Sequence, residues 1–512
     1  MTAGEMEAAV SRALSQGYQI DPDAFSLLSD LSTKGVVEPI LKSVIEKKES
    51  LKTERVILKI DLEEFVPREE LHGQPAVDSH DLLPEIVILT DPTDSIRPVE
   101  AEDGFKKLFQ DRYSHLLDIA RQRPDSKNVS SIESGKEMKE KEYKIAGLVS
   151  SRNSRKGGGV ELVLDDPTGS ARLYCGDAVA ESALALPFDS LVVAEVSLGK
   201  TGQLYAKNLT LPDIPAKRVI GSPRRVYAVM LSDLHIGSKL FLADDFSRFL
   251  AWLNGKLGDA EIVERIRYVI VAGDVVDGIG VYPGQEFQLS EKNLKRQYVV
   301  ARAFLEQVPK HMKLLIVPGN HDPVRQALPQ PAVPADVAAP LYELENAVHL
   351  GGPANIKLDG VNFLIYHGRS LDDVIATVPD LTYDRPVEAM EVLLKARHLA
   401  PTYGKRTALS PEARDMLVID PVPDVFHAGH VHTVDVGNYR GTLVVNSGTF
   451  QAQTPFQANM GLEPICSIVP MLDLSTLEVV KRSFTRLSYG DLQEAEQLGV
   501  FGHDLVQREG VD

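Results

Sequence analysis

Five short polar motifs occur in one order along this 512-residue chain: Asp233-Leu234-His235, Gly273-Asp274, Gly319-Asn320-His321-Asp322, Tyr366-His367-Gly368 and Gly429-His430-Val431-His432. Carboxylate oxygen, amide oxygen and neutral imidazole nitrogen bind divalent ions of intermediate hardness without help from thiolate. The set therefore suits Mn²⁺, Fe²⁺ or Zn²⁺, whereas Mg²⁺ alone would favour fewer histidines. Two such ions about 3.5–4 Å apart activate water and clamp both oxygens of an in-line displacement at phosphorus. The chemistry to expect is hydrolysis of a phosphate ester. Any one motif alone reads as a strand-end cap or turn. The ordered series of five would need a separate accident at every strand end.

The elements that must position these motifs precede them. Residues 226–231, 268–272, 314–317, 363–366 and 425–426 are short apolar runs rich in β-branched residues, which predict strands of a sheet covered on both faces. In open α/β sheets the ligand crevice lies beyond the carboxyl ends of the strands, so all five motifs would converge there. Amphipathic segments at residues 245–257 and 291–308 lie between motif strands and predict helices of a layered α/β core.

Composition narrows the class. A hydrophobic fraction of 43% and a charged fraction of 25% are ordinary for a globular chain and indicate neither disorder nor a membrane protein. No stretch reaches the ~20 apolar residues of a membrane span, and the N-terminus lacks a basic region followed by an apolar one. The expectation is a cytoplasmic protein with no membrane contact. Cys175 and Cys466 are the sole cysteines, too few for a disulfide framework and read as reduced, small core residues. The net charge of −18 excludes whole-surface attraction to nucleic acid. Local contact is left to two basic stretches, Arg152, Arg155 and Lys156, and Lys217, Arg218, Arg224 and Arg225, for which solvated loops are an equal reading.

Residues 1–50 read as a small helical unit, with Val10, Ala13 and Leu14, then Phe25, Leu28 and Leu31, then Val37, Ile40, Leu41, Val44 and Ile45 at helical spacing. Asp21 before Pro22 reads as an N-cap. Residues 51–141 read as connector and linker, interrupted by a strand-like run at 86–89 and a helix over 105–121; residues 123–141 are polar and suggest a mobile segment. Residues 142–215 show five short strands separated by glycine turns, which fits an OB-type β-barrel, a fold that often binds single strands. Tyr174 and Tyr205 are its only obvious candidates for base stacking, and a structural barrel or a subunit interface is at least an equal reading. The catalytic unit spans 220–490. Its excursion between His367 and Gly429 contains a helix near 387–397 and a basic turn, Tyr403-Gly404-Lys405-Arg406, and reads equally as a flap over the crevice or a surface insertion. Residues 491–512 form an acidic tail.

The motif order Asp-x-His, Gly-Asp-x-x-Asp, Gly-Asn-His-Asp, His and Gly-His-x-His resembles that of the calcineurin-like metallophosphoesterases. The longer stretches LSDLHIGSKLF (231–241), PGNHDPVRQALPQP (318–331), YHGRSLDDVI (366–375), RHLAPTYGKR (397–406) and GHVHTVDVGNYRGTLVVNSGTFQAQTPFQ (429–457) are similar to those of the small subunits of archaeal family D DNA polymerases. The helical, OB-like and phosphoesterase order agrees too, so the resemblance covers nearly the whole chain.

That resemblance implies a layered calcineurin-like α/β core with an OB-type barrel and a small N-terminal helical unit. It implies a metal-dependent 3′–5′ exodeoxyribonuclease that proofreads, as part of a DNA polymerase complex, for a separate large catalytic subunit. The DNA partner would be single-stranded or a primer end. It further implies that Asp233, His235 and His432 bind one metal, that Asn320, His367 and His430 bind a second, and that Asp274 bridges the two, with Mn²⁺ the leading choice and Fe²⁺, Zn²⁺ or Mg²⁺ as alternatives. His321 would be the catalytic acid or would steady developing charge on phosphate. Asp277 and Asp322 would orient ligands, with turn capping as the competing role, and Arg325 and Arg369 would grip substrate phosphates or form structural ion pairs. No ligand position departs from the family pattern. The alternative is a non-catalytic scaffold for the large subunit, and a full set of seven converging ligands speaks against scaffolding as the sole role.

Overall fold

The computed structural model describes residues 9–13, 16, 18–20, 24, 28, 37–51, 56, 57 and 62, and then 83–97, 99–137 and 141–485. The chain divides into two compact units, Met1–Leu82 and Leu83–Asp512. In the first, the helix Val37–Leu51 buries Val37, Ile40, Leu41 and Val44, as the helical spacing of those residues requires. Gln19–Ile20 pairs in parallel with Val56–Ile57, and Ile57 and Leu62 are buried. This packing reaches past residue 50 into the stretch expected to be connector. Leu14, Asp21, Pro22, Phe25, Leu31 and the 491–512 tail lie outside the described residues.

The second unit begins with strand β1 (Ile86–Thr90) and helix α1 (Ala101–Arg121). Five strands follow, β2 (Glu142–Ser154), β3 (Val160–Asp166), β4 (Gly169–Cys175), β5 (Leu191–Leu198) and β6 (Leu204–Thr210). They pair in the order β2-β3-β4-β6-β5 and close through β2 with β5, giving the expected OB-type barrel with an interior of Ile145, Val149, Leu162, Leu164, Leu173 and Val196. The expected linker before it is instead ordered structure across residues 123–137. Val129–Ser130 pairs with β2, and a short helix Ile132–Lys136, capped by the Ser131 hydroxyl, inserts Ile132 into the barrel core. Two apolar residues in a polar sequence suffice to dock it. Cys175 is buried in the same core and carries no partner cysteine.

The rest of the second unit is built on two six-stranded sheets. One contains β7 (Tyr227–Leu231), β8 (Ile266–Ala272), β9 (Lys313–Val317) and β10 (Ala347–His349), all parallel, and continues from β7 into two antiparallel strands, Ile468–Asp473 and Val479–Ser483. Every residue of β7 and β8 is buried, as the uninterrupted apolar runs predict. Helices α2 (Ala243–Leu253) and α3 (Leu294–Leu305) cover this sheet with Phe246, Phe249, Trp252, Tyr298 and Leu305. Full burial of each such side chain stabilises by about 1.5–3 kcal/mol.

The other sheet holds β11 (Ala354–Leu358), β12 (Val361–Ile365), β13 (Val425–Ala428), β14 (Asp435–Tyr439) and β15 (Thr442–Asn446), with β1 on the edge beside β11. Strands β12, β13 and β15 are parallel. Helix Pro386–Ala396 packs Met390, Leu393 and Leu394 against Leu364, Phe426 and Val444. The helix of the excursion is thus core rather than flap. The sheets meet through Ser232, whose hydroxyl lies 2.9 Å from that of Ser447. Among the described residues no helix is long and apolar enough to cross a membrane.

Candidate metal centre

Strands β7, β8 and β9 deliver Asp233 and His235, Asp274, and Asn320 and His321 just beyond their carboxyl ends; β12 and β13 deliver His367, His430 and His432 from the other sheet. Turning these side chains into one crevice imposes an unusual backbone. Asp233, His235, Asp274, His430 and His432 all take positive φ, between 52° and 73°, a conformation non-glycine residues rarely adopt. Such strain costs about 1–3 kcal/mol per residue and clusters where function requires it. Two motif glycines are required by space. A Cβ on Gly319 would lie 2.0 Å from Asp274 Oδ1, and one on Gly429 would lie 2.2 Å from Ser232 Oγ.

The side chains converge at the spacing of atoms that share an ion. His235 Nε2 is 3.2 Å from His432 Nε2, 3.7 Å from Asp233 Oδ1 and 3.8 Å from Asp274 Oδ2. His432 Nε2 is 3.4 Å from Asp233 Oδ1, and His367 Nε2 is 3.3 Å from Asp274 Oδ2 and 3.0 Å from Asn320 Oδ1. Metal–ligand bonds of about 2.0–2.2 Å place neighbouring ligands at such separations. Asp233 Oδ1 is buried with no hydrogen-bond donor, although a buried carboxylate oxygen without a partner is strongly disfavoured. These residues fit a divalent cation. His321 lies close as well, forming with His235 and Asp274 a set of donor atoms within 4.8 Å of one another.

The surrounding groups fix ring orientation. Asp277 Oδ1 lies 3.0 Å from His235 Nδ1, and the Ala272 carbonyl accepts at 2.9 Å from His367 Nδ1. Each contact leaves Nε2 free to face the crevice, the arrangement by which neighbouring oxygens set a ligating histidine. Asp277 is itself held by the side-chain amides of Gln285 and Gln451. His321 Nδ1 donates to the Asp277 carbonyl at 2.8 Å, and its backbone N–H donates to Asp274 Oδ1, also at 2.8 Å. Asp322 accepts from the Gly319 N–H at 3.0 Å and from the Tyr298 hydroxyl at 3.1 Å. These contacts brace the loop that carries Asn320.

Burial opposes charge throughout the cluster, and around Asp233, Asp274 and His367 the opposite charges outweigh it. The nearby histidines hold Asp233 and Asp274 well below the usual carboxylate range against that burial. Burial likewise disfavours protonated His367, but Asp274 and Asp233 outweigh it and push the imidazole up to about 9. Burial lowers His321, despite the pull of Asp274. Asp322 is pushed up to about 6 by burial and by the charge of Asp274.

Other expected residues are placed differently. His430 stands beside His367, ring centroids 5.1 Å apart, with its Nε2 3.3 Å from Asp372 Oδ2. Arg325 does not line the cleft: it pairs with buried Glu412 at 2.8 Å and donates to the Pro329 carbonyl at 2.7 Å. Of its two expected roles, the geometry matches the structural ion pair. Arg369 lines the cleft and bonds to Gln326. The basic stretches are largely occupied internally. Arg152 bonds the Thr377 carbonyl, Arg155 lies over Tyr174, Lys217 pairs with Asp424 at 2.6 Å, Arg224 with Asp359, and Arg225 with Asp473 at 3.3 Å. Sequence reasoning missed Asp372 and Gln457, whose Nε2 lies 3.0 Å from His432 Nδ1. The Thr454-Pro455-Phe456-Gln457 run does carry the signature of a helix capping box, and the box forms.

Residues 228–434 match the family of DNA polymerase alpha/epsilon B subunits. A curated relative named DNA polymerase II small subunit, from Archaeoglobus fulgidus, is 38% identical over 462 residues, 88% of this chain and 93% of the relative. One of the same name from Pyrococcus furiosus is 42% identical over 388 residues, 74% of this chain and 63% of the relative. The chain therefore spans slightly under two thirds of the length of the Pyrococcus relatives it matches. A solved structure described as a novel archaeal phosphodiesterase is 14% identical, with a TM-score of 0.27, and the match covers 50% of this chain and 99% of that one.

Proposed function

This chain belongs to the DNA polymerase II small-subunit family, and from that membership we propose that it is a 3′–5′ exonuclease acting on single-stranded or primer-end DNA beside a large polymerase subunit. The observation that carries the reading is the convergence of His235 and His432 on Asp233, whose Oδ1 has no hydrogen-bond donor, beside Asp274, His367 and Asn320. A scaffold gains nothing from that strained, unsatisfied arrangement.

In this reading Asp233, His235 and His432 hold one divalent ion, Asn320, His367 and His430 the other, and Asp274 both, with Mn²⁺ the preferred metal. The ions, when bound, supply an activated water and charge neutralisation at the phosphodiester. Asp277 keeps His235 Nε2 turned inward. His321 carries its proton on Nδ1, toward the Asp277 carbonyl, so Nε2 is the atom that takes up and passes on the proton for the departing 3′ oxygen. Arg369 at the cleft wall holds a substrate phosphate.

The test incubates the full chain and Mn²⁺ with a 5′-labelled single-stranded oligonucleotide and with circular single-stranded DNA. A 3′-shortened ladder from the former and an intact circle are expected. Equal cleavage of the circle would replace exonuclease with endonuclease, and absence of both hydrolysis and bound metal would leave a scaffold.

A further inference from the structure

The cleft over the metal centre, about 700 Å³ in volume, has two chemically different rims. Asp372 binds both His430 and the Tyr383 hydroxyl, so the rim beside His367 and His430 carries Tyr383 together with Arg369 and Arg406. Beside His432 and His235 the lining changes. The chain there forms the short helix Pro455–Asn459, locked by the Thr454–Gln457 capping box and tied to His432 through Gln457. It presents Phe456 at 64% and Met460 at 54% exposure, both lining the cleft. Large apolar side chains so exposed at the mouth of a polar cavity mark a contact made with something else.

We propose that Phe456 and Met460 form a stacking subsite for the unpaired 3′-terminal nucleobase of a DNA strand. The proposal rests on the phosphodiesterase reading and deepens it by naming what the non-reacting part of the substrate meets. A nucleotide offers the two surfaces that these rims complement: an apolar base face, and phosphates that suit Arg369 and Arg406. An aromatic ring stacks on any base, and the flexible thioether of methionine adapts to its outline. The occupant is a nucleic acid end rather than a protein because Phe456 lines the same cavity as Asp274 and His321. A paired terminal base must be unpaired and unstacked before it can enter the cleft, which costs least for a mismatched base, so the subsite favours frayed or mismatched termini.

Two readouts test this with the full chain. In the hydrolysis assay the 3′-terminal residue is either a normal nucleotide or an abasic analogue. Wild-type protein is expected to remove the normal nucleotide about ten-fold faster, Phe456→Ala to remove both at the slower rate, and Phe456→Trp to restore the difference. In the binding assay an oligonucleotide with 3′-terminal 2-aminopurine is added to the His321→Ala protein with Mn²⁺, and stacking quenches its fluorescence. Adding Phe456→Ala should abolish the quench without lowering the melting temperature. Quenching that survives Phe456→Ala overturns the subsite, as does a wild-type rate indifferent to the base, whereas a Phe456-dependent quench without hydrolysis by wild type supports the subsite and overturns the nuclease.

Discussion

Two buried clusters of charge lie in the second unit, and they are built on opposite rules. In one, Arg112 of α1 meets Asp415 at 2.7 Å and the Pro401 carbonyl at 2.7 Å, while His398 Nε2 lies 2.9 Å from the same carboxylate and its Nδ1 accepts from the Ala400 N–H. A cation, an anion and a neutral ring are matched donor to acceptor, with Arg112 Nη2 alone lacking a bond. In the candidate metal centre the match is incomplete: Asp233 Oδ1 has no well-aligned donor, although His432 Nε2 stands 3.4 Å away, and two imidazole Nε2 atoms lie 3.2 Å apart. Burial and charge are common to both. What separates a structural ion pair from a site that could hold a cation is this incomplete matching of donors to acceptors.

Changes at the two clusters should therefore diverge. Asp274→Asn should lower Mn²⁺-dependent hydrolysis by about a thousand-fold or more, and in chelator should lower the melting temperature only modestly, since the histidines that lose its charge can give up their protons; wild-type turnover in this variant would dissolve the distinction. Asp415→Asn should do the reverse. It leaves Arg112 buried without its counter-ion at a cost of about 3–5 kcal/mol, visible in chemical denaturation, with activity falling only as the folded fraction falls. Asp277→Asn tests the boundary between the classes. It should reduce metal affinity by about 10–100-fold, read by titration with Mn²⁺, without comparable loss of stability.

The smallest effect is in acid. Burial alone would push the Asp415 carboxyl up, but His398 and Arg112 outweigh it and hold it well below the usual range. A carboxylate whose pKa is depressed on folding contributes stability that is fully present above its unfolded value of about 3.9 and is lost as pH falls through the folded value. Denaturation between pH 5 and 3 should thus show wild type losing its advantage over Asp415→Asn steadily below about pH 4. A gap that stays constant over that range would mean the carboxylate is not held by its neighbours.

Much of the core was legible because its signals are local. The runs at 226–231 and 268–272 predict buried strands by composition alone, and a residue placed just beyond such a strand has little choice of destination. The barrel was legible for the same reason, through alternation and glycine turns. Residues 123–137 were not, because Val129 and Ile132 are too sparse to register against polar neighbours, yet each finds a hydrophobic seat. The helix Pro386–Ala396 showed its periodicity but not its face, which only β13 and β15 could supply.

The sequence by itself determined the donor types, their order and the strand ends that carry them, since these depend on residue chemistry and short-range pattern. Tertiary structure decided the pairings between distant segments. It bound Arg325 to Glu412 rather than to the cleft, set Asp372 against His430 and Gln457 beside His432, and matched Arg112 with Asp415 across about three hundred residues. A side chain's type limits what it can bond, but burial against a particular neighbour decides which bond is made, and that neighbour is chosen by the packing of whole elements.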